Sequence, residues 1–335
     1  MLRFIVRRLV FMILVLFGMT LITFALTHVV PSDPVRLLAG PHATQSEIMT
    51  LRHTYGMDRP LPGQYLIYLQ NLLHGNLGIS LTDRHPVLDD IKQFFPATLE
   101  LALCALIIAV GIGVPLGVYA AVGRGRIVDA LIRLTSIAGV SMPIFWLGLV
   151  VQFIFFKQLG WLPIGGRLDL IDNPPNTVTG LYLVDAVITG NFAVLGDVAA
   201  HLILPAVTLA LGSLVLITRM TRASVLEILA QDYIRTARAK GIASYRIVFR
   251  HALRNAITPT LTVIGLQLGY LLSGDFLAET IFNWPGIGYY GVNAIGNLDF
   301  PGIMGVTLVV SIIYVAANLV VDILYVIADP RIEYS

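Results

Sequence analysis

Strongly apolar stretches without a single Asp, Glu, Lys or Arg recur along this chain. Six of them reach the roughly 20 residues that a helix needs to cross the hydrocarbon core of a bilayer. They are 9–32, 101–123, 134–156, 198–218, 255–274 and 300–321. The pattern therefore predicts an all-α polytopic membrane protein with six transmembrane helices, named TM1 to TM6 in chain order.

Two other uncharged stretches, 60–82 and 280–298, are poorer candidates for spans. Proline, glycine, asparagine and glutamine residues interrupt both of them. An unsatisfied polar group facing hydrocarbon costs several kcal/mol. We interpret both stretches as helices and turns outside the membrane or at its surface.

The distribution of basic residues predicts the orientation. If the N-terminus is cytoplasmic, the inner segments carry 15 of the 22 Lys and Arg residues and the outer segments carry 7. Cytoplasmic loops of membrane proteins hold an excess of Lys and Arg. The six spans are therefore expected to run N-in/C-in.

The predicted spans divide the chain into three regions. Residues 1–32 form a cytoplasmic start and the anchor span TM1, which is too long for a cleaved signal peptide and lacks a small-residue cleavage site. Residues 33–95 form a periplasmic region. Residues 96–328 form a five-span core that includes a cytoplasmic loop at 219–254.

Composition excludes several other classes of protein. Apolar residues make up 56% of the chain and charged residues 13%, and the mean hydropathy is +0.81. Soluble domains carry about 25% charged residues. Cys104 is the only cysteine, so a disulfide scaffold and a thiolate metal site are excluded, as are a cytosolic enzyme and a disordered chain. The net charge of +2 does not indicate a nucleic-acid partner.

The usual motifs of catalysis are missing from the sequence. It contains no H-E-x-x-H pair and no G-x-S-x-G elbow, and its histidines lack ligand spacing. We therefore predict no catalytic residue and no metal site. None of the three lysines, Lys92, Lys157 and Lys240, follows a glycine as a Walker A loop requires. Any energy from a nucleotide must come from another polypeptide.

Ionisable residues inside a membrane mark ion paths or proton relays. The six stretches contain none, and Asp322 lies just after the last one. It has two interpretations, a packing partner for a basic inner residue or the coupling carboxylate of a proton-driven transporter. Packing is favoured, because a proton-driven transporter is expected to have a deeper carboxylate.

The inner loop 219–254 has the most specific local pattern. Asp232 is predicted to cap a helix of about two turns over 233–240, and Gly241 occupies the position that follows its end. Ser244 is predicted to cap a second helix that leads into TM5.

One face of the short helix contains Tyr233, Ala237 and Lys240, at spacings of four and three. A helix of this length is not stable alone in water. A basic loop that touches anionic lipid is the alternative, but it does not explain the paired caps. The short helix is therefore predicted to dock on a cytoplasmic partner.

The segment D-Y-I-R-T-A-R-A-K-G, followed by H-A-L-R-N-A, resembles the coupling-loop signature of inner-membrane permease subunits of bacterial peptide-type ABC importers. The resemblance extends over essentially the whole chain. It includes V-P-S-D-P-V-R-L-L-A-G, H-G-N-L-G-I-S-L, P-A-T-L-E-L-A-L, S-M-P-I-F-W-L-G, E-T-I-F-N-W-P-G-I-G, and V-D-I-L-Y followed by D-P-R-I. The order of these motifs resembles the first permease of the dipeptide, oligopeptide, nickel and glutathione systems.

The broader import-permease signature, E-A-A-x-x-x-G followed by I-x-L-P, is matched only in part. Gly241 matches its glycine and Ala237 its second alanine. Arg235 and Thr236 replace its glutamate and first alanine, and Leu253-Arg254 stands in place of Leu-Pro. Such departures are normal for the peptide branch.

The resemblance implies the type I ABC importer permease fold, with no cofactor in this chain. Such a permease pairs with a second, homologous permease, and the translocation path lies between them. Two ABC ATPase subunits that use ATP and Mg²⁺ receive the coupling helices, and a periplasmic or lipid-anchored binding protein delivers the substrate. The implied ATPase-coupling residues are Asp232, Tyr233, Arg235, Thr236, Ala237, Arg238, Lys240 and Gly241.

Glycines and prolines mark candidate hinge or packing positions in the spans. Small residues four positions apart permit close approach of helices, and proline kinks a helix. Packing alone also explains each position. The candidates are Gly113, Pro115 and Gly117 in TM2, Pro143 in TM3, Pro205 in TM4, and Gly265 and Gly269 in TM5.

Four polar residues are candidates for the translocation path. Gln152 and Gln267 lie in TM3 and TM5, where they point either to the path or to a neighbouring helix. Asp275 and Glu279 lie in the outer segment 275–299, which we interpret as a gate near the binding protein.

The sequence thus predicts a non-enzymatic permease subunit of an ATP-driven importer of di- or oligopeptides, in the bacterial inner membrane. One alternative is a proton-coupled secondary transporter that uses Asp322. The other is the same ABC architecture carrying nickel or glutathione.

Overall fold

A computed structural model describes the backbone of residues 2–29, 34–40, 43–54, 56–127, 129–132, 134, 139, 142–169, 171 and 173–328. Its regular structure is almost entirely helical, as the apolar stretches predict. The helices are α1 (Leu2–Val29), α2 (Pro34–Ala39), α3 (Gln45–Thr54), α4 (Leu61–Leu73), α5 (Val87–Val122), α6 (Ile144–Gln152), α7 (Tyr182–Ile188), α8 (Phe192–Leu229), α9 (Asp232–Ala239), α10 (Ser244–Arg246), α11 (Leu253–Leu272), α12 (Phe276–Ile281), α13 (Ile287–Gly296) and α14 (Phe300–Ala328). Two π-helical segments, Phe153–Gln158 after α6 and Ile247–Ala252 before α11, extend these helices.

Four helices within the described residues are long and apolar enough to cross a membrane. They are Arg7–Thr27 in α1, Val87–Val122 in α5, Phe192–Leu229 in α8 and Phe300–Val321 in α14. These helices coincide with the predicted TM1, TM2, TM4 and TM6.

The predicted TM3 and TM5 are less regular. The apolar helix Ile144–Gln158 is shorter than the four long ones, and α11 contains Pro259. The six-span topology therefore remains a prediction.

Pro143 does not kink a continuous helix, as the sequence analysis expected. It has φ −61° and ψ 136° and directly precedes α6. Proline is tolerated at a helix start, where its missing N–H group has no intrahelical partner in any case. Pro205 does lie inside α8, and Pro115 lies inside α5.

The second long helix begins much earlier than predicted. α5 has 36 residues, which corresponds to about 54 Å at 1.5 Å per residue. It therefore extends well beyond a hydrocarbon core of about 30 Å. Pro96, the start of the predicted core region, lies inside α5, and the division into regions remains a prediction.

The core is built where α5 packs along α8. Small residues such as Ala102, Ala105 and Ala109 are buried on α5, and Leu202 and Leu209 pack against them from α8. Small side chains allow two helix backbones to approach closely, which maximises van der Waals contact between them.

The predicted glycine pairs lie at helix contacts. A Cβ atom at Gly117 would lie 2.6 Å from Thr221 Cβ, and one at Gly113 would lie 3.1 Å from Leu214 O; both partners are on α8. Gly265 similarly faces Val321 of α14, and a Cβ at Gly269 would lie 3.2 Å from Ala317 Cβ. The structure thus places these four glycines at two close helix interfaces.

Candidate functional site

The short helix of the inner loop, α9, begins one residue earlier than the sequence suggested. Asp232 is its first helical residue, and Gln231 occupies the cap position without a side-chain hydrogen bond. The predicted capping role of Asp232 is therefore wrong. Its carboxylate still lies in the first turn, where negative charge is favoured by the helix dipole.

The other end of α9 is closed by the backbone. Gly241 N–H donates to Arg238 O at 2.9 Å, and Ile242 N–H donates to Ala237 O at 3.2 Å. This pair of bonds is the Schellman motif, which requires a left-handed residue just after the helix. Gly241 has φ +73°, so the residue type and the backbone conformation agree.

One face of α9 packs against its own chain. Ile234 and Ala237 are buried with Ile247 and Ala252 of the π-helical segment. Ala237 is therefore not available to a partner in this structure, although the sequence grouped it with Tyr233 and Lys240. The packing fixes α9 against the start of the helix that follows.

The remaining face of α9 is exposed and mainly basic. Tyr233 is 45% exposed, and its hydroxyl accepts a hydrogen bond from Asn255 Nδ2 at 3.0 Å. Arg235 Nη1 lies 3.5 Å from Asp232 Oδ1, with both side chains exposed. The remaining exposed members of the predicted set are Thr236, Arg238, Lys240 and Gly241.

The second predicted cap in the loop is also displaced by one residue. Ser244 is the first residue of α10, and Ala243 occupies the cap position. The π-helical segment then joins α10 to α11 without a break, so the inner loop is connected rigidly to the predicted TM5.

A cleft of about 460 Å³ lies beside α9. Arg124, Arg238 and Ser244 contribute polar groups to its walls. The rest of its lining is Ala121, Val122, Leu226, Leu229, Ala230, Ile247 and Val248. The ends of α5 and α8 therefore meet α9, α10 and the π-helical segment Ile247–Ala252 around an apolar depression with a basic rim.

An ion pair between Arg222 and Asp129, near the ends of α8 and α5, was not predicted from the sequence. Arg222 Nε and Nη2 donate to Asp129 Oδ1 and Oδ2 at 2.7 and 3.0 Å. Asp129 is 1% exposed, and Gly125 N–H also donates to it. Asp129 is the acidic residue of the otherwise basic inner segment 124–133, and this contrast was the signal in the sequence that could have indicated an ion pair. The pair fastens the segment after α5 to α8.

A second polar cluster surrounds Glu279, near the start of α5. Glu279 is 1% exposed. Its Oε1 accepts from Thr98 Oγ1 at 2.8 Å and its Oε2 from Tyr289 N–H at 3.0 Å. Ile287 N–H donates to Thr98 Oγ1 at 2.8 Å. This Glu279 cluster (Thr98, Glu279, Ile287 and Tyr289) joins α5, α12 and α13 around a buried carboxyl group, in the outer segment that the sequence analysis interpreted as a gate.

Burial raises the pKa of Glu279 to about 7, against the opposing effect of hydrogen bonds from Tyr289 and Thr98. The carboxyl group therefore ionises closer to neutral pH than an exposed glutamate does. The neighbouring Trp284 is fully buried, and its indole N–H donates to Ala97 O at 2.8 Å.

Arg167 and Glu100 form a third buried polar contact. Arg167 Nη2 lies 2.6 Å from Glu100 Oε2 and also donates to Gly180 O at 3.0 Å. Glu100 Oε1 accepts from Leu183 N–H at 2.7 Å, and the guanidinium lies 3.5 Å from the Tyr182 ring centroid. The pair holds the segment between α6 and α7 against α5. Removal of one partner would leave a buried charge uncompensated.

The other predicted path residues have local structural partners. Gln152 is buried and its Nε2 donates to Ile164 O and Ile281 O, at 2.8 and 3.1 Å. Gln267 Oε1 accepts from Ser213 Oγ at 2.8 Å. Asp275 caps α12 by accepting from Ala278 N–H. Gln152 therefore points to neighbouring backbone, the second of its two predicted orientations.

Two groups of metal-ligand side chains come together among the described residues, although the sequence spacing predicted none. One contains Asp83, His85 and Asp90, and the other Asp169, Asp197 and His201. In the second group, His201 Nδ1 lies 3.1 Å from Asp197 Oδ1. Because hydrogen bonds and ion pairs explain these contacts, neither group is assigned a metal.

Comparison with known families decides the identity of the chain. A model described as "Binding-protein-dependent transport system inner membrane component" matches residues 113–334. The chain belongs to this family. The model of the N-terminal region of the same membrane components matches residues 1–102. The protein is thus an inner-membrane ABC permease, a transport component and not an enzyme, and it works with ATPase and substrate-binding partners.

Individual relatives of this permease match along nearly its whole length. The probable D,D-dipeptide transport system permease protein DdpB of Escherichia coli K12 is 50% identical, over 96% of this chain and 94% of the relative. The di/tripeptide transport system permease protein DppB of Pseudomonas aeruginosa is 47% identical, over 100% of both chains. The glutathione transport system permease protein GsiC of Escherichia coli is 37% identical, over 100% of both chains.

A solved structure supports the fold of the permease. A chain of the MetNI methionine ABC transporter, in an inward-facing conformation, matches with a TM-score of 0.51 and 19% identity. The match covers 71% of this chain and 96% of that chain. At this identity the similarity concerns the fold alone, and it agrees with the predicted ABC importer permease fold.

Proposed function

We propose that this permease forms one half of the translocation path of an ATP-driven importer of short peptides. The second half is a homologous permease, and two ATPase subunits supply the energy from ATP and Mg²⁺. A periplasmic or lipid-anchored binding protein delivers the substrate. The similarity over the full chain length to permeases named for di- and tripeptide transport is the observation that carries the cargo assignment.

The exposed face of α9 supports the proposed contact with the ATPase. The exposed residues of α9 include Tyr233, Arg235 and Arg238, and Lys240 is exposed directly after the helix. The opposite face of α9 packs on its own chain. The buried residues Ile234 and Ala237 would transmit a movement of α9 to the π-helical segment against which they pack, and from there to α11. In the proposed mechanism, closure of the ATPases moves α9, and the permease changes from an inward-facing to an outward-facing form.

The proposed topology has six spans with both termini in the cytoplasm. Basic residues concentrate in the segments that this arrangement places inside. It also puts α9 and the neighbouring cleft on the cytoplasmic side, and the Glu279 cluster toward the periplasm. The roles of the path residues Gln267, Asp275 and Glu279 belong to the same proposal.

The alternative of a proton-driven transporter rests on Asp322 alone. This residue lies in α14, but its side chain lies outside the described part of the structure. The two proposals differ in their partners, since only an ABC permease needs separate ATPase subunits.

Purification in mild detergent tests the proposed function. The tagged permease is expected to co-purify with a second permease and P-loop subunits, and the complex should hydrolyse ATP. In proteoliposomes with its binding protein, ATPase activity should rise with di- or tripeptides more than with glutathione or nickel. A permease that purifies alone, and transports only under a proton gradient, would contradict the proposal.

A further inference from the structure

Helix α4 combines properties that seldom occur together in a soluble region. It has 13 residues without an Asp, Glu, Lys or Arg, and none of its residues is buried. An apolar stretch of roughly 10–14 residues is typical of a buried core helix or of an interfacial segment. Because no residue of α4 is buried, the helix has the character of an interfacial segment and not of a core helix.

The neighbour of α4 is the anchor helix α1. Tyr65 Oη lies 2.9 Å from Thr20 Oγ1. The Tyr65 ring is 6.1 Å from the Phe17 ring and 5.2 Å from the Phe24 ring, measured between centroids. Tyr68 stacks on Phe24 at 6.1 Å. All three partners belong to the apolar stretch Arg7–Thr27 that is long enough to cross a membrane.

The position of these contacts along α1 gives their depth in the membrane. Thr27 Oγ1 lies 3.9 Å from Met304 Sδ, so the apolar part of α1 ends beside the beginning of α14. Thr20 is seven residues before Thr27, which corresponds to about 10 Å along a helix. The hydrocarbon core is about 30 Å thick. The Tyr65 side chain therefore reaches into the leaflet in which α1 ends.

The polar residues Gln64 and Asn71 lie on the side of α4 opposite Leu66, Leu69 and Leu73. At about 100° per residue, Gln64 and Asn71 are about 20° apart, and both are roughly 170° from the centre of the three leucines. Gln64 Nε2 donates to Met57 O and Arg59 O at 3.3 and 2.8 Å. The polar side is thus covered in part by the segment that precedes the helix.

On the side opposite Gln64 and Asn71, α4 presents an edge of leucines. The edge consists of Leu66, Leu69 and Leu73, and the side chains of Leu66 and Leu73 are 65% and 88% exposed. It adjoins α1, where Leu21 and Ile22 are 46% and 56% exposed. The two helices together form a continuous apolar surface that begins in the hydrocarbon core.

We propose that α4 is an interfacial helix whose leucine edge lies among the acyl chains of the leaflet in which α1 ends. Its partner is the lipid bilayer. Interfacial helices insert an apolar face about 5–10 Å below the headgroups and keep the polar face outside. Asn71 then faces the headgroups and water, while the exposed Arg59 can extend its charge to the surface. In the proposed topology this is the periplasmic leaflet.

Site-directed spin labelling tests the position of α4. Leu66→Cys and Leu73→Cys are prepared separately in a Cys104→Ala background, and Asn71→Cys serves as the matched control on the polar side. Each labelled permease is studied in its complete complex, in liposomes of phosphatidylethanolamine and phosphatidylglycerol. Collision rates are measured with oxygen, which concentrates in hydrocarbon, and with a water-soluble nickel chelate. Retained ATPase activity shows that each variant is folded.

At Leu66 and Leu73 the oxygen collision rate is expected to exceed the nickel-chelate rate several-fold, and at Asn71 the order is expected to reverse. Rapid nickel-chelate collisions at both leucines would place the edge in water and overturn the proposal. Labels shielded from both reagents would also overturn it, because protein would then cover the edge. Repeating the measurement without the binding protein identifies whether that subunit or the second permease provides the cover.

Discussion

At the residue scale, Gly241 is the position where sequence and backbone agree most directly. Its φ of +73° is in the left-handed region, and a Cβ atom there would meet no atom within 4 Å. A substitution therefore acts through backbone conformation and not through a clash. We predict that Gly241→Val costs about 1–2 kcal/mol at the end of α9 and lowers peptide-stimulated ATPase activity in proteoliposomes.

Asparagine provides the control for this prediction, because it adopts the left-handed conformation more readily than other residues with a side chain. Gly241→Asn should retain most of the stimulated activity, and both variants should assemble with their partners. Wild-type transport by Gly241→Val would show that the coupling helix has been placed in the wrong segment.

Glu279 leads to a prediction about pH. Its pKa in the folded protein, about 7, is above the ordinary value of 4.5, so the folded state binds this proton more tightly than the unfolded state. The resulting stabilisation is complete at pH values below the ordinary pKa and is lost as pH rises through about 7. Between about pH 6 and pH 8, the loss should be about 1 kcal/mol.

The variant Glu279→Gln keeps the shape of the side chain but cannot ionise. Thermal unfolding of the purified complex should therefore depend less on pH in this variant than in the wild type. If the wild type and Glu279→Gln lose stability in parallel above pH 7, the raised pKa of Glu279 does not cause the pH dependence of unfolding.

These residues also show what sequence reasoning can achieve. The residue type of Gly241 reports its own backbone conformation, so the end of α9 was predictable. The predicted caps Asp232 and Ser244 each lie one residue after the cap position in the structure. A preference of a residue type for cap positions does not determine the residue at which a helix begins. The partner of Glu279, Thr98, is 181 positions away in the chain, and no local pattern reports such a contact.

At the scale of the helices, the close contact between α5 and α8 depends on residues without a side chain. A Cβ atom at Gly117 would lie 2.8 Å from the backbone oxygen of Thr218, whereas one at Gly111 on the same helix would meet nothing within 4 Å. We predict that Gly117→Ala destabilises the permease by about 1–3 kcal/mol, because the helices must move apart. Thermal unfolding in detergent measures this effect.

Gly111→Ala is the matched control, since it makes the same chemical change on an open part of α5. It should be neutral or slightly stabilising, because alanine favours helix more than glycine does. Equal melting temperatures for the two variants would mean that α5 and α8 are not packed as closely as the structure shows.

The length of α5 shows why helix boundaries were harder to predict than helices. The apolar, charge-free stretch of the second predicted span begins only at residue 101, because Asp89, Asp90 and Glu100 precede it. The helix nevertheless begins at Val87. Asp89 and Asp90 lie in its first turn, where negative charge is favoured, and Glu100 is neutralised by Arg167. Charge thus excludes a segment from hydrocarbon but does not end a helix.

At the scale of the whole molecule, the family and the fold could be predicted because motifs occur in a fixed order along the chain. The surfaces that meet the partner subunits could not be derived in the same way. Ala237 of α9 and Lys240, directly after that helix, illustrate the difference: they are three positions apart, yet Ala237 packs inside the permease and Lys240 is exposed. Which side of a helix is free depends on contacts between distant segments.

The orientation of the molecule provides the last prediction, and it can be measured with two exposed residues. Ile171 is 95% exposed in the segment between α6 and α7, and Tyr245 is 61% exposed just after α9. The proposed N-in/C-in topology places Ile171 in the periplasm and Tyr245 in the cytoplasm. In a Cys104→Ala background, a membrane-impermeant maleimide should label Ile171→Cys on whole cells with a permeable outer membrane. It should label Tyr245→Cys only after the inner membrane is opened. The opposite order would place α9 outside, away from any ATPase, and so would contradict both the topology and the coupling role assigned to the inner loop.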